Sequence, residues 1–223
     1  MRKLAVLLFL AGAGAGSAWG QLFEVWFNGG QSLMSNKGLG TLNPVDSTTG
    51  LPPAGSTKND VQLGDGFRFS FRMTLNNESH FGHEFQYAYS RTTLDIPAQP
   101  GTVGTVLSPG IAATPASSQG MAIHQGGYNF LLYATHEGTR IRPFATGGVG
   151  FANYVPPGSS AASGGGSNKF GFNYGGGVKV RITSLFGARL DLRQYTTPKP
   201  FGLPLAQGWL RQTEISAGFG VLF

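Results

Sequence analysis

The sequence predicts an all-β protein: a closed, eight-stranded antiparallel β-barrel that crosses a membrane, with short turns at one end and long loops at the other. Three observations carry this. Apolar and polar residues alternate with period two in one segment after another. The connections between those segments are alternately long and short. No apolar run beyond the N-terminus reaches the ~20 residues that a transmembrane helix needs. Composition agrees: of 223 residues, 36 are Gly and 17 Phe, yet only 12% are charged, about half the share in an ordinary soluble domain.

The first element is an address. Met1-Arg2-Lys3 is basic, Leu4 to Leu10 is apolar, and small residues follow from Ala11 to Ala18. Ala18-Trp19-Gly20 offers small residues at both positions that a signal peptidase reads. Residues 1–20 are therefore expected to be a secretory signal peptide, cleaved before Gln21, with residues 21–223 forming the barrel. The apolar stretch is too short and too rich in Gly for a membrane anchor. Loss of Arg2 and Lys3 lowers the formal net charge of +6 by two.

The strands follow in order. In Phe23 to Leu33, the residues Phe23, Val25 and Phe27 oppose Glu24, Trp26 and Asn28. Leu63, Phe67, Phe69, Phe71, Met73 and Leu75 share one face of the second strand, with Arg68, Ser70, Arg72 and Thr74 on the other. Phe85, Tyr87 and Tyr89 alternate with Glu84, Gln86, Ala88 and Ser90. Met121 to Thr135 and Ile141 to Tyr154, like Phe23 to Leu33, are weaker patterns whose register stays open. Phe170, Phe172, Tyr174, Val178, Val180 and Ile182 alternate with Gly171, Asn173, Lys179, Arg181 and Thr183. Ala188, Leu190 and Leu192 alternate with Arg189, Asp191 and Arg193; Ile215, Ala217, Phe219, Val221 and Phe223 alternate with Glu214, Ser216, Gly218 and Gly220.

The connections supply the orientation. Met34 to Asn59, Pro97 to Gly120, Val155 to Asn168 and Thr197 to Gln207 are long and rich in Gly, Pro, Ser and Thr. Asn76 to Ser79, His136 to Thr139 and Ser184 to Gly187 are tight. Outer-membrane barrels have short periplasmic turns and longer extracellular loops, and eight strands return both termini to the periplasm. A soluble up-and-down barrel around a ligand is the competing architecture. Against it stand apolar faces heavy in aromatic residues, as in interfacial girdles, and a polar face crowded with Gly, which suits a narrow lumen.

On that reading ten charged residues point inward: Glu24, Arg68, Arg72, Glu84, Lys179, Arg181, Arg189, Asp191, Arg193 and Glu214. Folding the tight turns back sets Arg72 opposite Glu84 and brings Asp191 near Lys179 and Arg181. Isolated buried charges cost several kcal/mol, so these are expected to pair into a plug. Six are basic and four acidic, so any leak through the lumen would weakly favour anions.

The segment Ser216 to Phe223 ends in an alternating strand with Gly218, Val221 and a terminal Phe223. It resembles the C-terminal signal by which outer-membrane barrels are recognised by their assembly machinery. An unpaired last strand can template onto another sheet edge before the barrel closes. Gly147-Gly148-Val149-Gly150-Phe151, the run from Phe170 to Arg181, and Gly187 to Arg193 together resemble the OmpA/OmpX-like outer-membrane β-barrel domain. The likeness is good from about Arg142 to Phe223 and general before it. It implies an eight-stranded barrel with mobile outer loops. Larger members of that family add a periplasmic peptidoglycan-binding domain, and no such segment is expected here.

Other chemistry finds little footing. With no Cys, disulfides, thiolate catalysis and Cys-linked lipid anchoring are excluded. The basic residues are dispersed, so a pI of about 9.8 suits an anionic lipid surface better than nucleic acid. His80 and His83 lie on opposite faces of a strand, His124 is alone, and His136-Glu137 sits in a short turn. Neither a metal site nor a catalytic group is expected, and no cofactor; the Gly175-Gly176-Gly177 run lacks the spacing of a phosphate loop. The expected partners are outer-membrane lipids and lipopolysaccharide, with the barrel-assembly machinery during insertion. A monomer is expected, and no extracellular partner is legible. Three roles remain: a structural or surface-interaction barrel, a narrow channel, or, least favoured, a lipid-modifying barrel enzyme.

Overall fold

The structure is a computed structural model that describes residues 23–42, 61–77, 80–98, 115–161 and 164–223. The expected signal peptide and its cleavage point before Gln21 lie outside these residues, as does much of the first two long loops. Ten strands form among the described residues: β1 (Phe23–Ser35), β2 (Gly38–Gly40), β3 (Val61–Leu63), β4 (Gly66–Asn76), β5 (Phe81–Ile96), β6 (Ser117–Tyr133), β7 (Ile141–Val155), β8 (Ser167–Arg181), β9 (Phe186–Pro198) and β10 (Trp209–Leu222). The eight long strands pair antiparallel in a closed ring, β1–β4–β5–β6–β7–β8–β9–β10–β1. The ring closes where β1 meets β10, with Phe27 opposite Phe219 and Gly29 opposite Ala217. The three weaker sequence patterns become β1, β6 and β7, with β6 in register with β5 from Phe81↔Leu132 to Ile96↔Ser117.

One face of each strand explains the membrane. Phe67, Phe69, Met73 and Leu75 on β4, Phe85 and Tyr87 on β5, Phe170, Phe172 and Tyr174 on β8, and Leu190 and Leu192 on β9 all point outward and are exposed. An apolar belt on the outside of a closed ring is what a bilayer requires, since no strand edge is left to offer unpaired backbone groups. The outward apolar residues run from Ile215 on β10 to Phe223 just past its end, close to the ~9–11 residues that span a bilayer at barrel tilt.

Above the belt the pattern inverts. On β10, Arg211 faces out while Leu210 is buried; on β5, Arg91 and Asp95 face out while Leu94 is buried; on β7, Asn153 faces out while Tyr154 is buried. The strands therefore leave the membrane here and continue as a water-facing barrel with its own apolar core. That core comprises Met34, Leu39, Val61, Leu63, Leu94, Met121, Ile123, Ala152, Tyr154 and Leu210, with Ile96, Phe201 and Leu203 packed against it. β2 and β3 form a small ladder that joins β5 through Gln62↔Asp95. The loop after β9 folds over the mouth and accepts the amide of Thr41 on Pro204 O at 3.0 Å. At Gly40 (φ 123°) a Cβ would stand 2.6 Å from Pro204 O, so only Gly allows this closure. Asp65 ties the β3–β4 connection to β1 by accepting the Met34 amide at 2.7 Å, and that bond, with Lys37 beside it, holds its carboxyl below the usual range.

Leu63 corrects the sequence reading. It does not share the outward face of Phe67 but is buried in the outer core. The strand breaks at Gly64-Asp65 between β3 and β4, and the parity of the pattern changes across that break.

A closed ring of backbone hydrogen bonds resists detergent. An unboiled sample in dodecyl sulfate should therefore migrate differently from a boiled one. Identical migration, with loss of the β-signal at low temperature, would count against the closed ring.

Candidate functional site

The lumen is the candidate site, because inward alternation sends the charged side chains there. At the short-turn end, Glu24 pairs with Lys179 and also accepts from Trp26 Nε1 and Asn76 Nδ2, each at 2.8 Å. Lys179 Nζ donates to Tyr133 Oη at 2.7 Å, and Tyr133 in turn donates to Asn76 Oδ1 at 2.8 Å. The Trp26 indole occupies space that Gly220 leaves: a Cβ there would lie 2.5 Å from the ring.

The middle layer holds four arginines and three carboxylates. Asp191 accepts from Arg72 Nη1 at 2.7 Å, Arg189 Nε at 2.7 Å and Arg193 Nε at 3.0 Å. Glu84 takes Arg189 Nη1 at 2.6 Å and Arg193 Nη2 at 2.8 Å. Glu214 takes Arg72 Nη2 at 2.6 Å and Arg68 Nε at 3.0 Å, with the Tyr195 hydroxyl donating to it at 2.9 Å. Each carboxylate thus meets at least two guanidinium groups, and all seven side chains are essentially inaccessible. Above them Arg68 reaches Gln125, Gln125 bonds Gln212 at 2.7 Å, and Gln212 bonds Ser32 at 2.6 Å. The outer apolar core begins directly above.

Nine of the ten sequence-predicted inward charges meet in these layers, but with different partners. Arg72 does not pair with Glu84; its register partner is Gln86, and its guanidinium crosses the lumen to Asp191 on β9 and Glu214 on β10. Asp191 pairs with Arg72, Arg189 and Arg193 rather than with Lys179 or Arg181. In a lumen this narrow a long side chain spans to the far wall, so neighbourhood along the sheet does not decide the partner. Arg181, the last residue of β8, sits half-buried at the short-turn rim, outside the network. The sequence reading missed Arg142, which is buried beside Lys179 with its guanidinium 3.8 Å from the Tyr133 ring centroid. It also missed the uncharged bridges Gln125, Tyr133, Tyr195 and Gln212.

Of the assembly-signal residues, Val221 faces outward on β10, and Phe223 packs at a tilt against Phe23 with ring centroids 5.8 Å apart and donates its amide to Phe23 O at 2.9 Å. Gly218 has a packing role of its own: a Cβ would stand 2.0 Å from Asn28 Oδ1. Among the described residues no three His, Cys, Asp or Glu side chains converge as metal ligands. His83 bonds Tyr128 and His124 bonds Tyr87 on the outer wall, while His80 lies against His136 between two short turns.

The sequence matches the outer membrane protein beta-barrel domain family over residues 4–223. The chain belongs to this family. Membership places the barrel in the outer membrane; in such barrels the short turns face the periplasm and the longer loops the outside. Among solved structures the barrel is similar to neisserial surface protein A, at 14% identity over 90% of this chain and 97% of that one, with a TM-score of 0.52. The N-terminal β-barrel domain of Pseudomonas aeruginosa OprF aligns over 92% of this chain and 99% of that one at 12% identity, with a TM-score of 0.48. No curated protein sequence matches the chain. What this outer-membrane barrel shares with the first of these structures is the eight-stranded ring; its lumen is read from its own residues.

Proposed function

We propose that this outer-membrane barrel is a non-conducting structural and surface-interaction protein, whose plugged lumen makes it a rigid mount for the long outer loops. The observation that carries the reading is the unbroken filling of the lumen. The ion network occupies the membrane section and an apolar core occupies the section above it. The cavities beside Gln86 and Gln125 and beside Arg142 and Lys179 hold only about 20 Å³ each, room for about one water. A water-filled path would have to break both layers. The projection above the bilayer supports the surface role, because its water-facing walls rise beyond the lipid.

Outer-membrane lipids and lipopolysaccharide are the surroundings this reading assigns to the belt, and the role is structural rather than catalytic. Residues 1–20 act as the cleaved leader, and the final strand with Gly218, Val221 and Phe223 addresses the assembly machinery. Single-channel recording on the refolded protein is the test. Flat current traces are expected. Reproducible unitary steps, above all anion-selective ones, would replace this reading with that of a narrow channel.

A further inference from the structure

We propose that the periplasmic mouth of the barrel is a binding site for a phosphate-class oxyanion, built by Arg140, Arg142, Lys179 and Arg181. Two rows of like charge face each other there. Arg142 stands directly opposite Lys179 in the β7–β8 ladder, and Arg181 N donates to Arg140 O at 2.8 Å two residues further toward the rim, past Ile141↔Val180. Like charges opposite one another destabilise a ladder unless something neutralises them. The protein supplies little. Of the residues lining the cavity at this mouth, Glu24 is the one acid, and it is already matched by Lys179 and held by Trp26 and Asn76. Arg140, Arg142 and Arg181 form no ion pair among the described residues.

Arg142 is the decisive group. It is 6% exposed, and its Nε and Nη2 have no hydrogen-bond partner. A buried guanidinium is seldom left so, since unmade bonds to a charged group are costly. Its plane rests on Tyr133, whose hydroxyl is held by Lys179, which fixes the fork at the cavity wall. The cavity has room for about one water-sized group, about 20 Å³. That fits one oxygen of a phosphate whose remainder stays outside, near Arg140 and Arg181. Guanidinium forks suit the geometry of such an oxyanion. Ile141 and Ile182, beside these arginines, are 54% and 61% exposed toward the lipid, so an acyl chain attached to the phosphate would find an apolar wall next to it. The chemistry is that of a phosphate monoester or diester, free or on an inner-leaflet lipid.

The test uses the refolded full chain in uncharged detergent micelles, following the Arg142 Nε–H and Trp26 indole N–H signals by NMR. One series adds inorganic phosphate, a second lysophosphatidic acid, and a third the matching monoacylglycerol as uncharged control. Saturable shifts in either phosphate series, absent from the control, are expected. Saturation by the lipid alone identifies a headgroup site, and saturation by both identifies a general phosphate site. Arg142→Gln should weaken binding about tenfold, the worth of one charge-assisted hydrogen bond. Arg181→Gln, at the half-exposed rim, should weaken it while leaving the remaining spectrum in place, and it carries the test if the first variant does not fold. Absence of saturation in both phosphate series overturns the proposal. So do equal shifts with the control, or unchanged affinity in the variants that fold.

Discussion

Replacing Asp191 by Asn should lower the unfolding free energy of the barrel by roughly 3–5 kcal/mol, the range for breaking a buried ion pair from one side. Asn preserves the shape, so the change is one of charge. Asp191 accepts from three arginines on two strands: Arg72 of β4, and Arg189 and Arg193 of β9. Without its charge, four guanidinium groups share two carboxylates in a layer that water does not reach. The loss should show as a lower midpoint in urea titrations in liposomes, with an unchanged slope if the ring itself stays whole. Arg189→Gln in the same background should recover part of it, because removing that cation rebalances the layer, and Arg193 still serves Glu84. The double variant should then be more stable than the sum of the single effects allows. A single-variant loss within the ±0.5 kcal/mol of an ordinary surface substitution would show that the network does not hold the lumen.

The parts of this architecture that were legible in the sequence are those written by one-sided burial. β4, β5, β8, β9 and β10 each place apolar residues against the bilayer and polar ones against the lumen, so period two is printed in the chain. β7 was faint because Gly147, Gly148 and Gly150 carry no side chain to mark a face; Arg142, on the same strand, was lost with it. The ion partners were not legible. Turn geometry gives the neighbour along the sheet, whereas the partner across the lumen depends on the stagger at which eight strands close. Arg181 was assigned to the network by extending the alternation of β8 to its end, where the strand has already reached the rim. The outer core left a signal that could have been used. At Leu94, Tyr154 and Leu210 the apolar residues move to the inward parity, while Arg91, Asn153 and Arg211 take the outward one. That inversion marks the height at which the lipid ends.

The same boundary predicts the second large effect. Leu190→Arg should cost roughly 2–4 kcal/mol, the penalty for a basic residue on the lipid face near the midplane. Leu190 is 58% exposed on the outer wall, flanked in register by Val178 of β8 and Ala217 of β10, well inside the apolar belt. Gln194 lies on the same strand and face, four residues further toward the outside, about 13 Å along the strand. There the neighbours change character: Tyr174 donates its hydroxyl to Gln194, and Thr213 of β10 is its register partner. Gln194→Arg should therefore cost only about 0–1 kcal/mol, as for an interfacial site. Both positions point away from the ion network and neither side chain belongs to it, so depth separates them, apart from the Tyr174 bond that Gln194→Arg would lose. The measurement is a pair of folding titrations in liposomes of one lipid composition. A steep loss at Leu190 with little at Gln194 fixes the upper edge of the belt between them. Equal losses at both would put the edge higher up the barrel, and equal tolerance at both would mean that this wall does not face lipid.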